Sequence, residues 1–171
     1  MKKFSKLVFT ALFVLAVAPA FSQFSAGLDL GFPNGSWSSG WSTGIGATIR
    51  YEAPIQDKLN WTASAGYMSF GGKSLGGYSL PSLSIIPITG GVKYYFQETG
   101  TGFYAAGDIG FWIASVAASS QLGTPSSSKT NFGFAPGVGY RVKQFDFTFR
   151  FNAVSDYNYL GLRAAYVFAS K

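Results

Sequence analysis

Beyond residue 22 the chain alternates between apolar and polar positions. The stretch 145–151 reads FDFTFRF: Phe145, Phe147, Phe149 and Phe151 fall on every second residue, with Asp146, Thr148 and Arg150 between them. An extended strand sends successive side chains to opposite faces, so one face here is all benzyl and the other polar. The same period of two recurs along the chain and predicts eight strands, at 24–32, 41–53, 60–70, about 83–96, 102–116, 131–142, 145–151 and about 159–168. The connections after the first, third, fifth and seventh strands read as long: PNGSWSSG, GGKSLGGYSLPS, AASSQLGTPSSSKT and AVSDYN. Those after the second, fourth and sixth are shorter. Ser, Gly, Pro and Asn fill the long ones, as turn chemistry requires.

The charged residues within these strands are Asp29, Arg50, Glu52, Lys93, Asp108, Arg141, Asp146, Arg150 and Arg163, all on the face opposite the aromatics. Glycines share that face, among them Gly27, Gly44, Gly91, Gly137 and Gly139. Glycine weakens a water-facing strand, whereas the narrow interior of a small barrel needs it, because side chains from every strand meet there. The pattern therefore predicts a closed barrel with the nine charges inside, paired as an ion network. The bulky apolar face then points outward. So much exposed apolar surface is untenable in water and required in lipid.

The strand ends fit two aromatic belts. Tyr51, Trp61, Tyr94, Phe103, Tyr140, Phe145, Tyr166 and Phe168 mark the end that holds both termini, and Phe151 marks the other, with Phe32, Trp41, Tyr67, Phe111 and Phe132. The expected fold class is all-β: an eight-stranded antiparallel up-and-down transmembrane β-barrel preceded by a cleavable signal peptide. Pro87 and Pro136 fall inside strands, where each removes a ladder donor. Around Pro87 the apolar phase shifts from Leu83 and Ile85 to Ile86 and Ile88, which predicts a bulge there.

The first residues set the compartment. Lys2, Lys3 and Lys6 precede the apolar run LVFTALFVLAV and the small-residue site Ala20-Phe21-Ser22, the form of a secretory signal peptide over residues 1–22. Residues 23–171 then form one barrel domain. Without the three leader lysines the balance is ten basic against seven acidic residues, so the basic pI does not argue for nucleic acid. With no His and no Cys, serine triads, thiol chemistry and the usual metal sites lack their key groups, and neither catalytic residue, cofactor nor metal is expected. Gly44-Ile-Gly46 and Gly137-Val-Gly139 are followed by no helix and read as interior packing. Trp37, Trp41 and Tyr78, with Leu75 and Leu122, lie in or beside the long loops. They are candidates for contact with an outside partner, the alternative being that they pack the loops onto the rim.

The stretches IPITGGVKYYF at 86–96, FAPGVGYRV at 134–142 and the closing LGLRAAYVF resemble the small eight-stranded outer-membrane barrels of the OmpA/OmpX/porin-like superfamily. The resemblance spans the chain after the leader. It implies residence in the cell outer membrane with both termini periplasmic, and contact with outer-membrane lipid. It also implies insertion by the barrel-assembly machinery, which reads the terminal aromatic; here Ala169, Ser170 and Lys171 follow Phe168. The role expected is structural or in surface interaction, such as adhesion or envelope integrity. The alternatives are a narrow porin-like channel and a secreted lipocalin-like barrel. Asp at Phe149 should block membrane insertion, and Asp at Thr148 should do so less.

Overall fold

The structure is a computed structural model that describes residues 23–75, 78–98, 100–116 and 127–168, with residues 75, 78 and 79 as backbone. The chain runs through β1 (Gln23–Asn34), a 3-10 turn (Gly35–Ser39), β2 (Trp41–Gln56) and β3 (Leu59–Gly72). Then follow β4 (Ser74–Leu75), β5 (Tyr78–Ser79), β6 (Leu83–Tyr95) and β7 (Gly102–Val116). The last strands are β8 (Ser127–Val142), β9 (Phe145–Val154) and β10 (Tyr157–Phe168). β4 and β5 make a small separate ribbon; the other eight form a closed antiparallel barrel in the order β1-β10-β9-β8-β7-β6-β3-β2. The leader, residue Leu122 and residues 169–171 lie outside the described residues.

Successive barrel strands pair with each other, β3 with β6 across the small ribbon, and β1 closes the ring against β10 from Phe24↔Phe168 to Asn34↔Asn158. Closure removes every exposed edge. The end bearing Gln23 and Phe168 is called lower below. Its turns at Lys58 and Lys143 are tight enough to hold those residues at φ 63° and 53°, in the left-handed region. One upper connection is shorter than expected. β9 continues to Val154 and β10 begins at Tyr157, leaving a two-residue turn, Ser155 and Asp156, in place of a long loop.

The alternation decides which way each side chain faces. Leu28, Ile45, Ile49 and Phe103 are more than 60% exposed on the outer wall, while Asp29, Arg50 and Asp108 are at most 3% exposed inside. Inward glycines leave room for large neighbours. A Cβ on Gly139 would come within 2.2 Å of the Tyr104 ring, and one on Gly44 within 2.5 Å of Phe70. Gly139→Val is therefore expected to destabilise the barrel by at least about 1–3 kcal/mol, the usual range for overpacking. Unfolding in urea checks it, and an unchanged midpoint would mean that Tyr104 has somewhere else to go.

The bulge expected at Pro87 is absent. β6 pairs with β7 without a shift from Leu83↔Val116 to Tyr95↔Tyr104. On its other side Ala65↔Ile88 and Met68↔Ile85 keep one register, and the pairing merely lapses between them. Pro136 behaves alike, with Phe134↔Ala153 and Gly137↔Arg150 in one register across the gap. Each proline removes a donor without adding a residue, so the strands stay in step. The apparent phase shift has another cause. Leu83 and Ile85 point inward and are buried, while Ile86 and Ile88 point outward, because at this height both faces of the wall are apolar.

The register shifts that do occur are in β2, between Trp41 and Gly44 and between Pro54 and Gln56. The first reverses the face of Trp41. Rather than joining the outward upper belt, Trp41 packs against the buried interior.

Candidate functional site

The barrel interior has two storeys. The lower one gathers eight of the nine sequence-predicted charges into ion pairs. Lys93 stands at its centre, with Nζ 2.9 Å from Glu52 Oε2 and 2.5 Å from Asp146 Oδ2. Arg50 meets Asp108 at 2.9 Å. Arg150 bridges Asp29 at 3.1 Å and Asp108 at 3.5 Å. Arg141 lies 3.9 Å from Glu52 and donates to the Gln23 side-chain carbonyl. These strands bring the partners together because each charge sits at an inward position and the lumen of an eight-stranded barrel is just wide enough for its side chains to fill.

Neutral groups fill the carboxylates' remaining lone pairs. Tyr95 and Asn60 each donate to Glu52 Oε1 at 2.7 Å, and Tyr104 donates to Asp146 at 2.5 Å. Thr62 donates to Asp108 at 3.1 Å and Thr48 to Asp29 at 2.6 Å. Lys93 also lies 4.4 Å above the Tyr104 ring, in reach of a cation–π attraction. A buried ion pair holds only when geometry is good and the spare valences are met, and this network meets both conditions for its carboxylates. Arg163 is the exception. It is 2% exposed and, among the described residues, forms no ion pair; its Nη2 donates to Ser25 Oγ at 3.1 Å and to the Thr48 carbonyl at 3.4 Å.

The upper storey is apolar. Met68, Phe70, Leu83, Ile85, Trp112, Ala135, Val154, Tyr157 and Tyr159 form one buried cluster across the lumen. Trp112 Nε1 donates to the Tyr159 hydroxyl at 3.1 Å, which satisfies two polar groups inside the plug. Sequence reasoning missed this storey and the lower tyrosines alike. The available signal was the aromatic doublets Tyr94-Tyr95, Phe103-Tyr104 and Phe111-Trp112, in which one ring must face inward if the other faces out.

Trp37 and Trp41 close the upper end. Trp37 stacks on Tyr157 at 5.1 Å between ring centres and meets Phe70 at 4.9 Å and Trp41 at 5.7 Å. Trp41 Nε1 donates to the Pro81 carbonyl at 3.3 Å, which pins β2 to the chain entering β6. Both indoles thus pack the loops onto the rim, and both are partly buried there. Beside them lies a cavity of about 250 Å³ lined by Trp37, Trp41, Tyr157, Asn131, Lys129 and Asp156. Lys129 and Asp156 pair across its rim at 2.7 Å in solvent. The side chains of Leu75 and Tyr78 lie outside the described residues.

Outside, the expected lower aromatics lie in contacting groups. Tyr51 packs between Phe24 and Trp61 at 4.9 and 5.1 Å, Phe103 meets Tyr140 at 4.7 Å, and Tyr166 meets Phe145 and Phe168 at 5.9 and 5.2 Å. Tyr94 meets Phe96 at 5.8 Å. Nearer the upper end Phe111 contacts Phe132 at 5.8 Å, and Phe151 is half-exposed on β9. Such contacts contribute roughly 0.5–1.5 kcal/mol each beyond area burial.

No family model and no curated protein matches the chain. Solved structures do. Ail, the attachment invasion locus protein of Yersinia pestis, superposes with a TM-score of 0.62 at 16% identity, over 86% of this chain and 97% of that one. Outer membrane protein OprG from Pseudomonas aeruginosa gives 0.58 at 14%, over 88% and 97%. Neisserial surface protein A gives 0.54 at 19%, over 87% and 96%. At these identities the likeness is one of fold: an eight-stranded antiparallel barrel of the kind found among small outer-membrane proteins.

Proposed function

We propose that this protein is an outer-membrane β-barrel with a sealed lumen, serving envelope integrity or surface contact through its upper rim. One observation carries the reading: the wall is inverted relative to a soluble protein. Isoleucines, leucines and phenylalanines cover the outside, and Arg50, Lys93, Asp108 and Asp146 are buried inside. Only hydrocarbon makes that arrangement favourable, and only helices and closed barrels satisfy their backbone there. The aromatic groups at the lower end lie where rings prefer the boundary between lipid and water.

The porin-like alternative finds little support, since ion-paired side chains fill the lower storey and a buried apolar cluster the upper. Planar bilayers containing the protein are expected to stay silent at moderate voltage; steady single-channel steps would restore the channel. A lipocalin-like carrier would need a polar exterior and an interior open to a ligand, whereas this wall is apolar outside and the interior is filled by its own side chains.

Surface contact is supported by the two partly exposed indoles and the cleft they line at the mouth. Ail, which shares the fold, bears the name of an attachment protein and has been seen with the heparin analogue sucrose octasulfate. The described rim here offers Lys73, bonded to the Ser38 carbonyl, and Lys129, already paired with Asp156. That is a poor match for a polyanion, so an aromatic-led contact is the better reading. The testing experiment is heat-modifiable gel mobility of protein from isolated outer membranes, followed by attachment of cells displaying it. A mobility shift with attachment lost in Trp37→Ala/Trp41→Ala supports the proposal. No shift, or protein recovered in the soluble fraction, overturns it.

A further inference from the structure

The lower storey is not neutral. It holds five cations, Arg50, Lys93, Arg141, Arg150 and Arg163, against four carboxylates, Asp29, Glu52, Asp108 and Asp146. The chain has seven acidic side chains, and the other three, Asp57, Glu98 and Asp156, lie in turns outside the lumen. No internal carboxylate is left over for Arg163. Its register partner across β1 and β10 is Asp29, but that carboxylate is taken by Thr48 Oγ1 at 2.6 Å and Arg150 Nη2 at 3.1 Å.

The guanidinium of Arg163 instead leans over β2. Its Nη2 donates to the Thr48 carbonyl and to Ser25 Oγ, and that hydroxyl in turn donates to the Arg50 carbonyl at 3.5 Å. Arg50 stands on the same stretch of β2, its guanidinium turned to Asp108 at 2.9 Å. In both arginines, Nε and Nη1 are buried and without a partner among the described residues. Arginine does not shed its proton to escape such a place, and an unpaired buried charge costs several kcal/mol.

We propose that the lumen holds one small monovalent anion, of halide size, against the Nε–Nη1 edge of Arg163. One such ion balances the interior charge and accepts hydrogen bonds from donors that otherwise have none. It acts as a structural counter-ion: the folded barrel binds it and the unfolded chain does not. The inference rests on the interior alone and stands apart from the surface role proposed above.

Linkage gives the test. Once free halide is well above its Kd, a tenfold rise multiplies the folded-to-unfolded ratio about tenfold. Detergent-solubilised protein is unfolded in urea at increasing bromide, with gluconate keeping the ionic strength constant. The ratio is expected to climb with bromide in the wild type and to be flat in Arg163→Gln. Crystals grown in bromide are expected to show an anomalous peak within hydrogen-bond distance of Arg163 Nε. This second readout uses the wild type only, so it holds even if the variant does not fold. A flat bromide response with water at that edge overturns the proposal. So does a response that survives in Arg163→Gln, because the ion would then sit elsewhere.

Discussion

Replacing Phe149 with Arg is expected to abolish accumulation of the folded barrel in membranes, while Phe149→Leu leaves it nearly unchanged. Phe149 lies on the outer wall, 44% exposed, in register with Leu162 on β10 and Val138 on β8. It is halfway along β9, far from either rim. A cation near the bilayer midplane of such a barrel costs about 2–4 kcal/mol, and Asp has the same sign with a smaller magnitude. Leu keeps the position apolar and loses only part of the ring. The check is the fraction of heat-modifiable protein in isolated membranes. On the inner face Thr148 is held in the ionic floor. Thr148 Oγ1 donates to Asp146 at 3.0 Å and meets the Tyr104 hydroxyl at 2.6 Å. Asp at that position would press a second carboxylate on Asp146, so Thr148→Asp is expected to weaken folding through repulsion, a different route from lipid exposure. Equal loss in Phe149→Arg and Phe149→Leu would mean that packing, not lipid, decides the site.

The second large effect belongs to Lys93. Lys93→Met removes the cation that, among the described residues, touches both Glu52 and Asp146, and leaves two buried carboxylates in the lower lumen. Arg141, 3.9 Å from Glu52, compensates only in part. Removing one partner of a buried pair typically costs 3–5 kcal/mol, chiefly through the stranded charge. A loss of about that size is expected in urea unfolding of detergent-refolded protein. Adding Asp146→Asn to Lys93→Met is expected to recover part of it, since one stranded charge is gone; the cycle isolates the coupling. A double variant no better than the single one would place the cost in lost packing by the lysine stem.

How much of this was legible in the sequence differs between the storeys. The outer wall and the ionic floor could be read directly, because at Asp146, Arg150 and their neighbours the two faces differ in kind. Leu83, Ile85, Phe70 and Trp112 were opaque for the opposite reason. There the inner face is as apolar as the outer one, and alternation carries no contrast. Trp41 misled because a bulge changes phase without leaving a mark in composition. The turn at Ser155–Asp156 was hidden by polar residues, Asn152 and Asn158, that suit a loop as well as a strand end. The lone cation Arg163 was invisible because a count of charges on one face does not tell which pairs meet across a lumen.

The central claim is that lipid, not water, covers the phenyl-bearing wall. Methyl-labelled isoleucines test it directly in a lipid nanodisc by nuclear Overhauser transfer from acyl chains. Ile45, Ile49, Ile88 and Ile109 are 51–66% exposed on the outer wall, and Ile85 is fully buried in the plug. Transfer from acyl methylenes to Ile45, Ile49, Ile88 and Ile109, with none to Ile85, is the predicted result. Water contacts at Ile49 and Ile109, without acyl transfer, would contradict it.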